Sequence, residues 1–215
     1  NIFYCFLAKV DFYLMRLNTQ KTKPMNDIRK DILGLILAGG QSRRMDGIDK
    51  GLVCFKKKPM MSWIVDSLQG QVNSIAINAN RNQEKYRIFT DQIFSDELGG
   101  FKGPLAGLHA AMTHSNESLI ATVPCDSPFI PNNLICRLRG PLNDSSIDLT
   151  VVQTGSRIQP VFSMARKSLK SSLEKFLVDG GRKIDIWYQH INIYKVTFPN
   201  NTKHFVNFNS LKELR

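Results

Sequence analysis

LGLILAGGQSRRMDGIDKG, residues 33–51, decides both the fold and the chemistry to look for. Leu33, Leu35, Ile36, Leu37 and Ala38 form a short apolar run of strand character that feeds straight into Gly39-Gly40 and a stretch of cations. Glycines without a Cβ let backbone N–H groups curl around an anion. Arg43, Arg44 and Lys50 add positive charge that a structural turn has no use for. The expected guest is a nucleoside polyphosphate. Two better-known glycine loops fail on spacing: Gly-x-Gly-x-x-Gly does not follow Leu37, and Gly-x-x-x-x-Gly-Lys-Ser/Thr occurs nowhere in the chain. Lys50, within Asp49-Lys50-Gly51, stands ten residues past the glycine pair and so returns to the anion from a different turn. Such a loop wraps a triphosphate from several sides. A strand-to-helix turn with scattered surface cations is the plain alternative, and three cations in one loop weigh against it.

Outward from this stretch, strand and helix patterns alternate after Lys30, as in a sheet covered by helices on both faces. Strands are expected at 32–38, 74–79, 92–95, 118–123, 147–153, 158–164, 191–197 and 204–207. Helices are expected at 59–70, 82–87, 104–114 with Pro104 in the first turn, 131–139, 167–178 and 181–189. The run Ser118–Val123 is continuously apolar, as suits a central strand, and it ends in Pro124-Cys125-Asp126-Ser127-Pro128. Asp126 thereby falls at a strand's carboxyl edge, where open α/β sheets bind ligands. One carboxylate there suits magnesium, which prefers few protein carboxylates and several phosphate oxygens. Alternatively, Asp126 merely caps a helix. Ser172-x-x-Lys175 matches a β-lactamase signature only by chance, since its companion motifs are absent.

The segments LAGGQSRRMDGIDKGL, NANR at 78–81, GPLAGL at 103–108 and PCDSPFIP at 124–131 together resemble the bacterial molybdenum cofactor guanylyltransferases, from about Ile32 to FVNFNS at 205–210. LAGG…RM alone is shared by many nucleotidyltransferases; Asp-Lys-Gly-Leu and NANR narrow the match. The resemblance implies a Rossmann-like three-layer α/β/α nucleotidyltransferase fold with a mostly parallel central sheet. It implies GTP as donor, molybdenum-bound molybdopterin as acceptor and a guanine dinucleotide cofactor as product, to which the reading of Asp126 adds Mg2+ as the metal. On matching positions, Leu37, Ala38, Gly39 and Gly40 would line GTP, Lys50 and Arg44 would hold phosphates, and Asn78 and Asp96 would contact the nucleoside. Arg182, Lys183, Asn207 and Asn209 would serve the acceptor, the two asparagines alternating onto one face of a strand. Asn78 could instead be a strand-end turn residue, and the asparagines could cap the last helix. Two departures stand out: Asp46 where the family usually has glycine, and lysine rather than arginine second in the basic pair, which loses a bidentate fork.

These pieces describe nucleotidyl transfer, in which an acceptor phosphate attacks the α-phosphorus and pyrophosphate leaves. The attacking oxygen is already anionic, so cations and position matter more than a general base. Rival readings are a related enzyme using CTP or a sugar-phosphate acceptor, and a nucleotide-binding regulator without turnover.

At 215 residues, 42% hydrophobic and 22% charged, the chain can bury one substantial core, and disorder is not the default. A net charge of +11 admits nucleic acid, but no zinc-finger spacing, basic heptad region or ribonucleoprotein motif accompanies it. Polyanionic substrates explain the charge without nucleic acid. Cys5, Cys54, Cys125 and Cys136 are scattered, arguing against a zinc site or disulfide framework and for a reducing cytoplasm. His109, in an apolar run, is expected to be a helix residue and not a ligand. No run reaches membrane-spanning length, so no membrane is expected. Residues 1–24 lack a signal-peptide pattern. Met25 stands about where members of the resembled family begin, so 1–24 is expected to be a disordered or non-native extension and 25–215 a single nucleotidyltransferase domain. A monomer is expected, with transient contact to molybdenum-insertion proteins or apo-molybdoenzymes.

Overall fold

The structure is a computed structural model and describes residues 30–39, 49–98, 103–199 and 204–208. The expectations for 1–24, Gly40, Arg43, Arg44, Asp46, Gly47 and Asn209 lie outside these residues. Strand β1 (Ile32–Leu37) is buried on both faces: Ile32 and Ile36 point into one apolar cluster, Leu33 and Leu35 into another. That alternation forces a layer on each side. It also explains why Gly34 sits where it does, since a Cβ there would stand 3.2 Å from the Val72 side chain.

The first cluster is closed by α1 (Met60–Leu68), which buries Met60, Met61, Ile64 and Leu68 and stops before Gly70 at φ 82°, a left-handed position that glycine takes without strain. Between β1 and α1 a small hairpin is made by β2 (Cys54–Phe55) and β3 (Lys58–Pro59). Then follow β4 (Ser74–Asn78), the short α2 (Gln83–Tyr86), β5 (Gln92–Phe94) and α3 (Pro104–His114). Helix α3 starts where the sequence places it, with Gly103 at its N-cap and proline in the first turn. After β6 (Leu119–Pro124) come α4 (Leu134–Arg139), β7 (Leu149–Thr154), β8 (Arg157–Arg166), α5 (Lys170–Val178), α6 (Ile184–Trp187) and β9 (Ile193–Phe198).

The main sheet runs β5-β4-β1-β6-β8-β7-β9, parallel throughout except for β8, which is antiparallel to both neighbours. Helices α1 and α4 contribute to one face, while α3, α5 and α6 contribute to the other. The sheet is therefore mostly parallel and helix-covered, as the alternating sequence pattern requires. Its strand ends at Leu37, Asn78, Phe94 and Pro124 share one edge.

One expected strand is not there. Residues 204–205 form a turn and 206–208 have no regular structure. Phe205 buries its ring edge-on against Phe162 and Phe198. The Phe208 N–H then donates to the Asp126 carbonyl at 2.9 Å, so this segment is anchored to the loop after β6 and not to a sheet ladder.

Candidate active site

The carboxyl edge gathers Leu37, Ala38, Gly39, Lys50, Asn78, Asp96 and Asp126 of the residues that the sequence singles out. Lys50–Leu52 form a single 3-10 turn, opened by the Asp49 carbonyl, which accepts from Leu52 N–H at 2.9 Å. Lys50 Nζ lies 2.9 Å from Asp126 Oδ2, so side chains 76 positions apart form a half-buried ion pair. The second oxygen, Asp126 Oδ1, is buried and has no hydrogen-bond partner among the described residues. An ionised carboxylate accepts on both oxygens, and leaving one dry is costly. That oxygen is a ready ligand for a hard cation. Among the described residues no cluster of three or more His, Cys, Asp or Glu could hold a metal, so any ion here would draw its remaining ligands from phosphate and water, as magnesium does.

Asp49 was not singled out by the sequence. It is buried, with Oδ1 accepting from Arg81 Nη2 at 2.7 Å and Oδ2 from Asn82 Nδ2 at 2.9 Å. These two bonds tie the Lys50 turn to the segment after β4. Gly51 completes the fit, because a Cβ would stand 2.9 Å from Met61 Cε and 3.3 Å from the Tyr86 hydroxyl. The cue available in the sequence was the density of short polar side chains in NANRN, more than a strand-end turn needs.

On the other side of that segment, Asp96 Oδ1 accepts from Asn78 Nδ2 at 3.0 Å and Oδ2 from Asn80 Nδ2 at 2.8 Å, while Asp96 N–H donates to Asn80 Oδ1 at 2.9 Å. Asn78 also donates to the Phe94 carbonyl and is 2% exposed. Asn78 is thus a buried brace for Asp96, and Asp96 is the partly exposed member of the pair. Space for it comes from two glycines. A Cβ on Gly107 would lie 2.5 Å from Asn78 Oδ1 and 2.7 Å from Leu37 Cδ2, and one on Gly39 would lie 3.1 Å from Asn78 Oδ1. Leu37, Ala38 and Gly39 consequently border the Asn78–Asp96 pair, with Ala38 N–H donating to the Asn78 carbonyl at 2.9 Å.

Cys125, next to Asp126, is no nucleophile. Burial, with the Asp126 charge adding to it, pushes its thiol up to about 12. Ser127 Oγ donates to Asn207 Oδ1 at 2.7 Å, which brings Asn207 to the Asp126 loop. Arg182 and Lys183 are exposed in the link between α5 and α6, on the α3 face of the sheet. His109 is buried in α3, its Nε2 3.9 Å from Glu174 Oε2, in the layer below the edge.

The glycine-bordered Asn78–Asp96 pair, Lys50 and the Asp126 carboxylate beyond β6 thus share the carboxyl edge of the sheet. The model of the MobA-like NTP transferase domain matches residues 34–191. The chain belongs to that family. It is 44% identical over 180 residues to the molybdenum cofactor guanylyltransferase of Shewanella amazonensis, covering 84% of this chain and 92% of the relative. The protein of the same name from Shewanella putrefaciens is 43% identical over 179 residues, covering 83% and 92%. In fold, the chain is similar to a molybdopterin-guanine dinucleotide biosynthesis protein A from Archaeoglobus fulgidus, with a TM-score of 0.68 at 20% identity over 85% of this chain and 94% of that one. A cytidylyl enzyme, 4-diphosphocytidyl-2C-methyl-D-erythritol synthase from Anaerococcus prevotii, gives 0.69 at 11% identity over 90% and 96%. This MobA-like chain is a nucleotidyltransferase, and no helix among its described residues is long and apolar enough to cross a membrane.

Proposed function

We propose that this protein transfers GMP from GTP to the terminal phosphate of molybdenum-bound molybdopterin, releasing pyrophosphate and forming the molybdopterin guanine dinucleotide cofactor. The observation that carries the reading is the Lys50–Asp126 pair at the carboxyl edge, with Asp126 Oδ1 buried and unpartnered beside it. The names of relatives matched over 92% of their length supply the donor and acceptor.

In this reading an acceptor phosphate oxygen forms a bond to the α-phosphorus as the bond from that phosphorus to the bridging oxygen breaks, and the electron pair leaves with pyrophosphate. The acceptor is already anionic at neutral pH, so no side chain has to remove a proton. Lys50 and Arg44 hold the β- and γ-phosphates, and Lys50 exchanges its bond to Asp126 for phosphate oxygens. Asp126 would hold Mg2+, which when bound neutralises charge on the phosphates. Leu37, Ala38, Gly39 and Gly40 line the nucleotide. Asp96, braced by Asn78, accepts from N–H or O–H groups of the nucleoside. Asn207, Asn209, Arg182 and Lys183 serve the acceptor. Asp49, with Arg81 and Asn82, fixes the turn that aims Lys50.

The test is pyrophosphate release with GTP, CTP and UTP, each with and without molybdopterin. Release should require molybdopterin and favour GTP. Release that is faster with CTP, or that ignores molybdopterin, would reject the guanylyl reading.

A further inference from the structure

The hairpin that grows out of the Lys50 turn breaks a local rule. Its two-residue loop is Lys56-Lys57, with φ of 47° and 69°. Both residues sit in the left-handed region, where a hairpin loop of this hand favours Asn-Gly and any side chain with a Cβ is strained. Residues that hold such a position against their backbone preference point to a use for their side chains. The third lysine of the run shows the contrast. Lys58 is neutralised, its ammonium 2.6 Å from Asp66 and over the Trp63 ring at 3.9 Å. Among the described residues, Lys56 and Lys57 have no carboxylate within ion-pair distance.

The position of the tip gives that charge a direction. Lys56 Nζ stands over two rings, 5.4 Å from the centre of Phe55 and 5.7 Å from that of Phe129. Phe55, Phe129 and Phe208 form one aromatic triad, with ring centres 5.3 to 6.0 Å apart. Phe208 N–H is bonded to the Asp126 carbonyl, and Phe129 follows Asp126 by three residues. The base of the hairpin is bonded to the Lys50 turn through Val53 N–H and the Lys50 carbonyl at 3.1 Å. The tip is thus built onto both halves of the Lys50–Asp126 pair. The rings hold one face of the ammonium and leave the other open.

We propose that Lys56 and Lys57 form an anion-docking rim for the acceptor, engaging its phosphomonoester while the donor occupies the Gly39–Asp96 side. This rests on the transferase reading for the acceptor's identity, and deepens it by naming residues that read the acceptor's charge.

The experiment uses the full chain carrying Lys56→Asn and Lys57→Gly together, which installs the loop sequence that the backbone prefers and removes the two charges. The thermal midpoint should stay level or rise. The KM for molybdopterin should rise about tenfold, the scale of one or two solvent-screened charge contacts, with the GTP KM as internal reference. Added salt should raise the acceptor KM of the wild type more steeply than that of the variant. Lys56→Arg with Lys57→Arg should retain the charge effect. An unchanged acceptor KM, or an equal rise for GTP, overturns the proposal. If the wild type turns over no molybdopterin, the transferase reading fails on its own, and the rim is then read by equilibrium binding of a pterin phosphomonoester. Equal binding by wild type and variant, or none by either, overturns it.

Discussion

At the amino edge of the parallel strands, Asp31, Glu117, Arg139, Arg166 and Lys167 line a cleft of about 440 Å³, while the carboxyl edge sets Lys50, Asp96 and Asp126 over glycine-bordered backbone. Both edges are charged, and the charges of the amino-edge cleft are taken up by the fold itself. Arg166 gives its donors to the Ile147, Leu142 and Asp144 carbonyls. Glu117 accepts from Ser74 and Asn73, Asp31 accepts from Ser118, and Lys167 donates to the Ser115 carbonyl. Arg139 Nε is buried without a partner, but its guanidinium already has Asn143 at 2.8 Å and Asp31 at 3.9 Å. At the carboxyl edge it is a carboxylate oxygen that is buried without a hydrogen bond among the described residues, next to the Lys50 ammonium. The comparison teaches that a cleft is a weaker guide to function than the way its charges are used: the amino edge engages its charges in backbone and side-chain bonds that hold the fold together, whereas the carboxyl edge leaves one carboxylate oxygen, Asp126 Oδ1, without a hydrogen bond among the described residues.

Substitutions should separate the edges sharply. Lys50→Ala and Asp126→Ala are each expected to lower GMP transfer by at least about a hundredfold in steady-state assays, the scale of losing a preorganised charge contact in a water-poor site. Turnover unchanged in both would break the comparison outright. Gly107→Ala should come next, because its Cβ would press on Asn78 Oδ1 and Leu37 at under 3 Å. Overpacking of this kind costs about 1–3 kcal/mol. The expected result is a lower thermal midpoint and a GTP KM raised several-fold, with calorimetry and kinetics read on the same sample.

Asp49→Asn should lower kcat by about tenfold, by loosening the Lys50 turn through a lost charge contact. Because Arg81 is half-exposed, the accompanying stability loss should be about 1 kcal/mol, near the surface end of the range for ion pairs. A stability loss without a kcat change would reduce Asp49 to a purely structural part.

The smallest effect belongs to the amino edge. Partial burial of Glu117 works against its charge, yet hydrogen bonds from Ser74 and Asn73 hold its carboxyl below the ordinary 4.5. A folded-state value below the unfolded one stabilises the fold above about pH 4.5, and that contribution is lost as pH falls through the folded value. Glu117→Gln should therefore cost under about 1 kcal/mol at pH 7. The difference from wild type should shrink in denaturant titrations below pH 4.5, with transfer activity unaltered.

Much of the carboxyl edge could be read from the sequence because its parts are local. The strand into Gly39, the Gly103-Pro104 helix start and the apolar run into Pro124-Cys125-Asp126 each carry their signal within a dozen residues. The hairpin at 54–59 was missed because two-residue strands have no periodicity and Lys56-Lys57 gives no turn cue. The strand expected at 204–207 failed for the opposite reason. Alternation in VNFN mimics a ladder, whereas Phe208 and Asn207 bond to the loop at Asp126 and Ser127. Burial of Asp49 depends on Arg81 and Asn82, more than thirty residues on, and local pattern does not reach that far.

The most direct measurement is the difference electron density of crystals soaked with GTP and magnesium. The expected map shows the triphosphate on Lys50 and a metal at about 2.1 Å from Asp126 Oδ1. A nucleotide lodged in the cleft beside Arg139 and Lys167, with Lys50 still bound to Asp126, would contradict the assignment of the site.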